Sequence, residues 1–265
     1  MSDASSVIDD LARESEELDR LVAELGEGRW ALATPAPGWT IAHQIAHLAW
    51  TDRGALLAVT DAEAFAVEAE KALASLGTWV DEAAREGAAL PPAQLLAGWR
   101  EGRAALDRAL RAAPSGTRFP WYGPPMSAAS MATGRLMETW AHGQDVADTL
   151  GVVRTPTDRL RHVARIGVRA RDFAFGVRGA IAPTEEFRVE LVAPAGNDVW
   201  TYGPRDAAQR VTGPALDFCL LVTQRANRAD LALRAQGPDA DRWLDIAQAF
   251  AGLPGAGRPP QGGAR

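Results

Sequence analysis

At 265 residues, 47% of them hydrophobic and 23% charged, the chain has the composition of a globular protein long enough for two ordinary domains. A net charge of −6 and a pI near 5.3 argue against nucleic acid as partner, because backbone binding needs a concentrated positive surface. No apolar run approaches the roughly 20 residues that span a bilayer, and the acidic start lacks the basic-then-apolar pattern of a secretion signal, so a cytoplasmic protein without membrane partners is expected. Cys219 is the only cysteine, which excludes an intrachain disulfide and a cysteine-based metal site; any metal must be held by His, Asp or Glu.

The first element is an amphipathic helix over 5–26, with Val7, Ile8, Leu11, Leu18, Leu21, Val22 and Leu25 at helical spacing. A loop over 26–39 follows, broken by Pro35, Pro37 and Gly38, and Thr40 stands where an N-cap belongs, opening a helix over about 41–60. A third helical stretch covers 62–86, bent near Gly77. Pro91-Pro92 opens a fourth over 92–112, with Leu95, Leu96, Trp99, Leu106 and Leu110 inward. The segment 114–125, with Phe119, Trp121 and Tyr122 among prolines and glycines, reads as an ordered loop over one end of a bundle. Ser127 or Ser130 then caps a helix that runs to Leu150 and closes at Gly151.

Beyond Pro156 the texture changes. A helix over 157–176 precedes alternating strands at 187–193 and 199–202 around the turn 194–198. A strand at 209–212, a helix over 214–224, a strand at 231–235 and a helix over 239–251 complete an α+β domain. The expected organisation is mainly α: a helical bundle over 1–153, a smaller α+β domain over 154–254, and a disordered tail over 255–265 rich in Gly and Pro.

Chemistry concentrates in the bundle. Three of the four histidines, His43, His47 and His142, fall in two helical segments, and His142 follows Glu138 by four residues. On a helix, Met131, Arg135, Glu138, His142 and Asp145 form one stripe roughly 80° wide. The other side carries only Ala132, Thr133, Leu136, Thr139, Gly143 and Ala147, so the polar stripe is expected to face inward, where its groups must satisfy one another or hold an ion. His47, among Ile41, Ile45 and Leu48, also needs a partner. Glu138, His142 and His47 would give three protein ligands and leave a coordination position for water or substrate. Zinc, nickel, iron and manganese all suit such ligands.

Other readings stay open for the neighbours. His43, four residues before His47, competes with it or serves in a second shell or as acid/base; Asp145 either orients the His142 imidazole or is solvated; Arg135 either pairs with Glu138 or supports the site. His162 is read as solvated and Cys219 as a core residue.

The run Pro37-Gly-Trp-Thr-Ile-Ala-His-Gln-Ile-Ala-His-Leu-Ala49 and the run Arg135-Leu-Met-Glu-Thr-Trp-Ala-His-Gly-Gln-Asp145 resemble the second- and last-helix motifs of the DinB-like metalloproteins. Among these the chain is similar to the mycothiol-dependent maleylpyruvate isomerases. The resemblance implies a DinB-like four-helix bundle with a smaller α+β domain, and a divalent metal, zinc first, on His47, Glu138 and His142. The run Gly213-Pro-Ala-Leu-Asp-Phe-Cys-Leu-Leu-Val-Thr-Gln-Arg225 resembles the family's C-terminal element, which makes Arg225 a candidate for binding an anionic substrate. Gln224 departs from the glycine usual there. The implied activity is isomerisation or S-transfer on a small electrophilic substrate, with mycothiol as the thiol activated by the metal. A single lysine, Lys71, among 28 basic residues points to a G+C-rich genome, which fits a mycothiol-making bacterium. A non-catalytic metal- or ligand-binding protein and a thiol-independent hydrolase are the alternatives, and a bundle-mediated homodimer fits either.

Overall fold

The computed structural model describes residues 4–74 and 77–262, which divide into two compact units, Met1–Val153 and Arg154–Arg265. The first holds α1 (Ala4–Val22), α2 (Ile41–Thr60), α3 (Ala62–Ala74), α4 (Trp79–Ala88), α5 (Pro92–Ala112) and α6 (Ala128–Leu150). Helices α1, α2, α5 and α6 form the bundle: α1 packs on α6 and α5, and α2 packs on α5 and α6 while α4 covers its outer side. The stretch expected as one helix over 62–86 is two, α3 and α4. Gly77 sits between them at φ +109°, a conformation a helix cannot contain.

Local chemistry places the ends of the two helices that matter most. At the start of α2 the Thr40 backbone N–H donates to His43 Nδ1 (3.3 Å), while Thr40 Oγ1 lies 2.8 Å from the same nitrogen. A backbone N–H can only donate, so Nδ1 accepts and His43 takes the part that Glu or Gln plays in an ordinary capping box. Ser127, not Ser130, caps α6, its Oγ accepting from Ser130 N–H, and Gly151 closes that helix at φ +68°.

The α6 side expected to be a weak buried face is largely buried: Ala132, Leu136 and Ala147 show no exposed surface and Thr139 almost none, with Thr133 partly exposed. Small side chains there let α1 approach closely, with Val7 and Ile8 sharing a core cluster with Met131 and Ala132. Helix α6 is therefore buried on both sides. Its polar stripe is interior as expected, but the weakness of the opposite face is not the reason.

Segment 114–125 is an ordered cover. Two short strands, β1 (Arg118–Phe119) and β2 (Met126–Ser127), pair antiparallel, and Trp121 stacks on Phe65 with ring centroids 5.7 Å apart. Tyr122 packs at 5.1 Å from both Phe65 and Trp79.

The second unit holds α7 (Leu160–Arg169), α8 (Arg171–Gly176), β3 (Phe187–Val192), β4 (Val199–Tyr202), β5 (Gln209–Pro214), α9 (Ala215–Val222), β6 (Arg234–Gln236) and α10 (Pro238–Ile246). The sheet order is β4-β3-β5-β6, with β3 and β5 parallel and both outer pairs antiparallel. The single helix expected over 157–176 breaks at Ala170, which leaves helical geometry. The last helix stops at Ile246 rather than 251, because Ala249 N–H turns away to bond Val222 O at the end of α9 (2.7 Å). The tail through 262 has no regular secondary structure and touches the rest of the second unit: Asn227 Nδ2 donates to Arg258 O (2.8 Å) and Gln261 N–H to Asp230 (2.9 Å). Residues 263–265 of that tail lie outside the described residues. Cys219 is fully buried, its thiol pushed up by burial, as suits a core residue.

Candidate metal centre

His47 comes from the second turn of α2, and Glu138 and His142 from successive turns of α6. Glu138 Oε2 lies 3.2 Å from His47 Nε2 and 3.3 Å from His142 Nε2, and one ligand atom from each of the three lies within 4.8 Å of the others. This is the sole group of three or more potential ligands that close together among the described residues. The imidazole centroids are 4.5 Å apart. Burial opposes ionisation of Glu138, yet the polar contacts with the His142 and His47 rings and the charge of Arg135 outweigh it and hold the carboxyl well below the usual range.

These residues fit a divalent ion. In a tetrahedral site with bonds of about 2.0–2.1 Å, ligand atoms sit roughly 3.3–3.4 Å apart, which the two N···O separations approach. The hydrogen bonds supply a second argument. His142 Nδ1 lies 2.5 Å from Gln44 Oε1, an atom that can only accept, so Nδ1 carries the proton. In the neutral ring Nε2 would then be unprotonated and free to ligate an ion beside the Glu138 carboxylate, 3.3 Å away.

Trp39 walls the cluster: its ring lies 5.4 Å from His47 and stacks at 5.9 Å and 19° on His142. A tight loop carries it, with Thr34 N–H bonded to Trp39 O and Gly38 at φ +79°, and the indole N–H donates to Asp81 on α4 (2.8 Å).

The neighbours divide differently from the sequence expectations. His43 lies beside Trp39 with ring centroids 6.3 Å apart, and its Nδ1 is committed to the α2 cap; burial, then Arg85, hold it below the usual imidazole range while Asp81 opposes. Gln44 makes an orienting contact to His142, and Asp145 is buried one turn further along α6. Arg135 makes no ion pair with Glu138. It is 6% exposed, its Nε and Nη1 have no hydrogen-bond partner, and its guanidinium lies 5.5 Å from the centre of the Trp121 ring. Arg225 belongs to the second unit, where Gln224 at φ +58° turns the chain after α9 and Arg225 Nη1 donates to Thr223 O (2.6 Å).

Sequence reasoning missed two residues. Gln44, three residues before His47 on the same helical face, is fully buried; a polar side chain among Ile41, Ile45 and Leu48 was the available signal. Asp52 on α2 is 5% exposed, and burial pushes its pKa up to about 6 against the opposing Arg135, Trp99 and Arg103, with Glu138 reinforcing the rise.

A raised carboxyl pKa means that the folded state keeps a proton which the unfolded chain, near 3.8, has released. Stability from this group is thus greatest below the unfolded value and falls as pH rises to the folded one, by about 3 kcal/mol in all. Asp52→Asn should remove that slope. Urea unfolding of both proteins at several pH values from about 4 to 7 should show the variant gaining on the parent; parallel curves would contradict the assignment.

Comparison with known proteins adds the following. A family model described as the mycothiol maleylpyruvate isomerase N-terminal domain matches residues 11–147, and one described as wyosine base formation matches residues 183–236. Two relatives from Mycobacterium tuberculosis, strains CDC 1551 / Oshkosh and ATCC 25618 / H37Rv, are each 59% identical over 258 residues, covering 97% of this chain and 100% of the relative; both are described as uncharacterized proteins. The crystal structure of the mycothiol-dependent maleylpyruvate isomerase superposes with a TM-score of 0.62 at 17% identity, covering 89% of this chain and 95% of that one. That of its histidine-to-alanine variant gives the same score and coverage at 18% identity.

Proposed function

Because the chain belongs to the mycothiol maleylpyruvate isomerase N-terminal domain family, we propose that it is a metal-dependent enzyme acting on a small electrophile through an activated thiol. The observation that carries this reading is the convergence of His47, Glu138 and His142, a carboxylate and two imidazoles on neighbouring bundle helices. These three would hold a divalent ion, zinc first, with nickel, iron or manganese also compatible. Such an ion supplies Lewis acidity that lets a thiol bind as thiolate at neutral pH, with mycothiol the thiol the family name suggests.

This chain's residues do the rest. Glu138, held ionised, contributes one negative charge, so a divalent ion keeps a net positive charge toward a fourth, anionic donor. Trp39 stacks on His142 and keeps water from that side of the ring. His43, neutral with its proton on Nε2, is a hydrogen-bond donor for substrate or thiol beside Trp39. Arg225 is assigned to an anionic group of the substrate by the family motif. Thiolate addition to an activated double bond, rotation and departure would give isomerisation; displacement of a leaving group would give S-transfer.

The test incubates metal-loaded protein with a mycothiol-like thiol and a cis-dienoic acid or a small electrophile. Thiol-dependent turnover that disappears in His47→Ala is expected. Turnover no faster than the uncatalysed thiol reaction would overturn the reading in favour of a binding protein, and ester hydrolysis without thiol would overturn it in favour of a hydrolase.

A further inference from the structure

We infer that Gln44 is a positioning residue that fixes which nitrogen His142 presents to the metal, through a relay anchored on the backbone of Trp39. The inference rests on the metal site proposed above. Each link has one allowed direction. The Trp39 carbonyl can only accept, and Thr34 Oγ1 donates to it at 2.9 Å. With its proton so used, the Thr34 hydroxyl accepts from Gln44 Nε2 at 2.9 Å. That sets the amide orientation, because the NH₂ end faces Thr34 and Oε1 must face His142. Oε1 accepts, so His142 Nδ1 donates across 2.5 Å, and in the neutral ring Nε2 is left unprotonated toward Glu138. A main-chain carbonyl in the Trp39 loop thereby determines the tautomer of a side chain on another helix.

The two histidines are treated unequally. His47 Nδ1 is buried and has no hydrogen-bond partner, so the ordering of the imidazole pair falls on His142. The acceptor that orders it is also neutral. A carboxylate there would make His142 a stronger donor to the ion; an amide fixes the ring while leaving more Lewis acidity for the fourth ligand. Gln44 is fully buried in α2 and shares one helical face with His47, so one helix supplies a ligand and the support for the opposing ligand.

The first test needs no metal. Imidazole ¹³C and ¹⁵N shifts of the metal-free chain at mildly alkaline pH should show His142 as the Nδ1–H tautomer, shifting toward the Nε2–H form in Gln44→Leu. An Nε2–H tautomer in the parent protein would overturn the inference, whatever the metal result. The second test titrates cobalt(II) with a competing chelator. Gln44→Leu should bind about 10- to 100-fold more weakly, the range for loss of a second-shell partner, with altered visible bands. Gln44→Glu, which keeps an acceptor, should restore binding and bands. Unchanged affinity and bands in a folded Gln44→Leu would overturn the inference. If that variant fails to fold, Thr34→Val, which leaves the His142 contact untouched, carries the test: a mixed His142 tautomer supports the relay and a pure Nδ1–H form overturns it. Parent protein that shows the expected tautomer but binds no cobalt would refute the proposed metal site and leave the relay standing.

Discussion

Glu138→Gln should lose divalent metal with an affinity drop on the order of 10³-fold, more than the 10- to 100-fold typical of second-shell changes, while the helices stay folded. The substitution keeps shape and volume but removes the one formal negative charge among the three ligands. It also replaces the carboxylate oxygen that lies within 3.3 Å of both Nε2 atoms. An amide oxygen could still touch one of them, but its NH₂ group would face the other side of the cluster. Circular dichroism checks the fold and chelator competition reads the affinity. A folded variant binding metal within a few-fold of the parent would place the ion elsewhere.

Gly203→Ala should destabilise the second unit by about 3 kcal/mol or more, a shift of roughly 10 °C in its melting temperature. Two costs add at this position. Gly203 has φ +76°, where an L side chain costs about 1 kcal/mol. A Cβ there would also lie 2.0 Å from the Phe187 carbonyl oxygen and 3.1 Å from its carbon. That oxygen belongs to β3, held between β4 and β5 with Phe187 opposite Gln209, so it cannot retreat without disturbing the parallel ladder. Arg188 Nη1 donates to Gly203 O at 2.8 Å, which fixes the turn further. Differential scanning calorimetry would read the effect, and a variant melting within a few degrees of the parent would show that the turn yields more easily than the sheet suggests.

Much of this architecture was written in local signals. Thr40 and Ser127 marked the starts of α2 and α6, Gly151 marked an end, and the 3.6-residue spacing of Glu138, His142 and the rest of the stripe put ligands on one side of α6. His47 could be joined to them because a histidine among Ile41, Ile45 and Leu48 needs a partner. Breaks without a proline were harder to see: α7 ends at Arg169, and α10 stops at Ile246 where Ala249 N–H turns to bond Val222 O. The same holds for the site's support. Gln44 bonds residues 10 and 98 positions away, and nothing in its own neighbourhood names either partner. Arg135 and Asp52 illustrate the limit from the other side: Arg135 was read beside Glu138 and Asp52 was not singled out, whereas burial leaves Arg135 over the Trp121 ring and lifts the Asp52 pKa.

His47, Glu138 and His142 are proposed to form one metal site. X-ray absorption on protein loaded with a single equivalent of zinc tests it most directly, because the spectrum reports the atoms around the ion. Stoichiometric uptake is expected, with nitrogen and oxygen neighbours at about 2.0–2.1 Å that include two imidazoles. Uptake well below one ion per chain, or a first shell with no imidazole scattering, would contradict it.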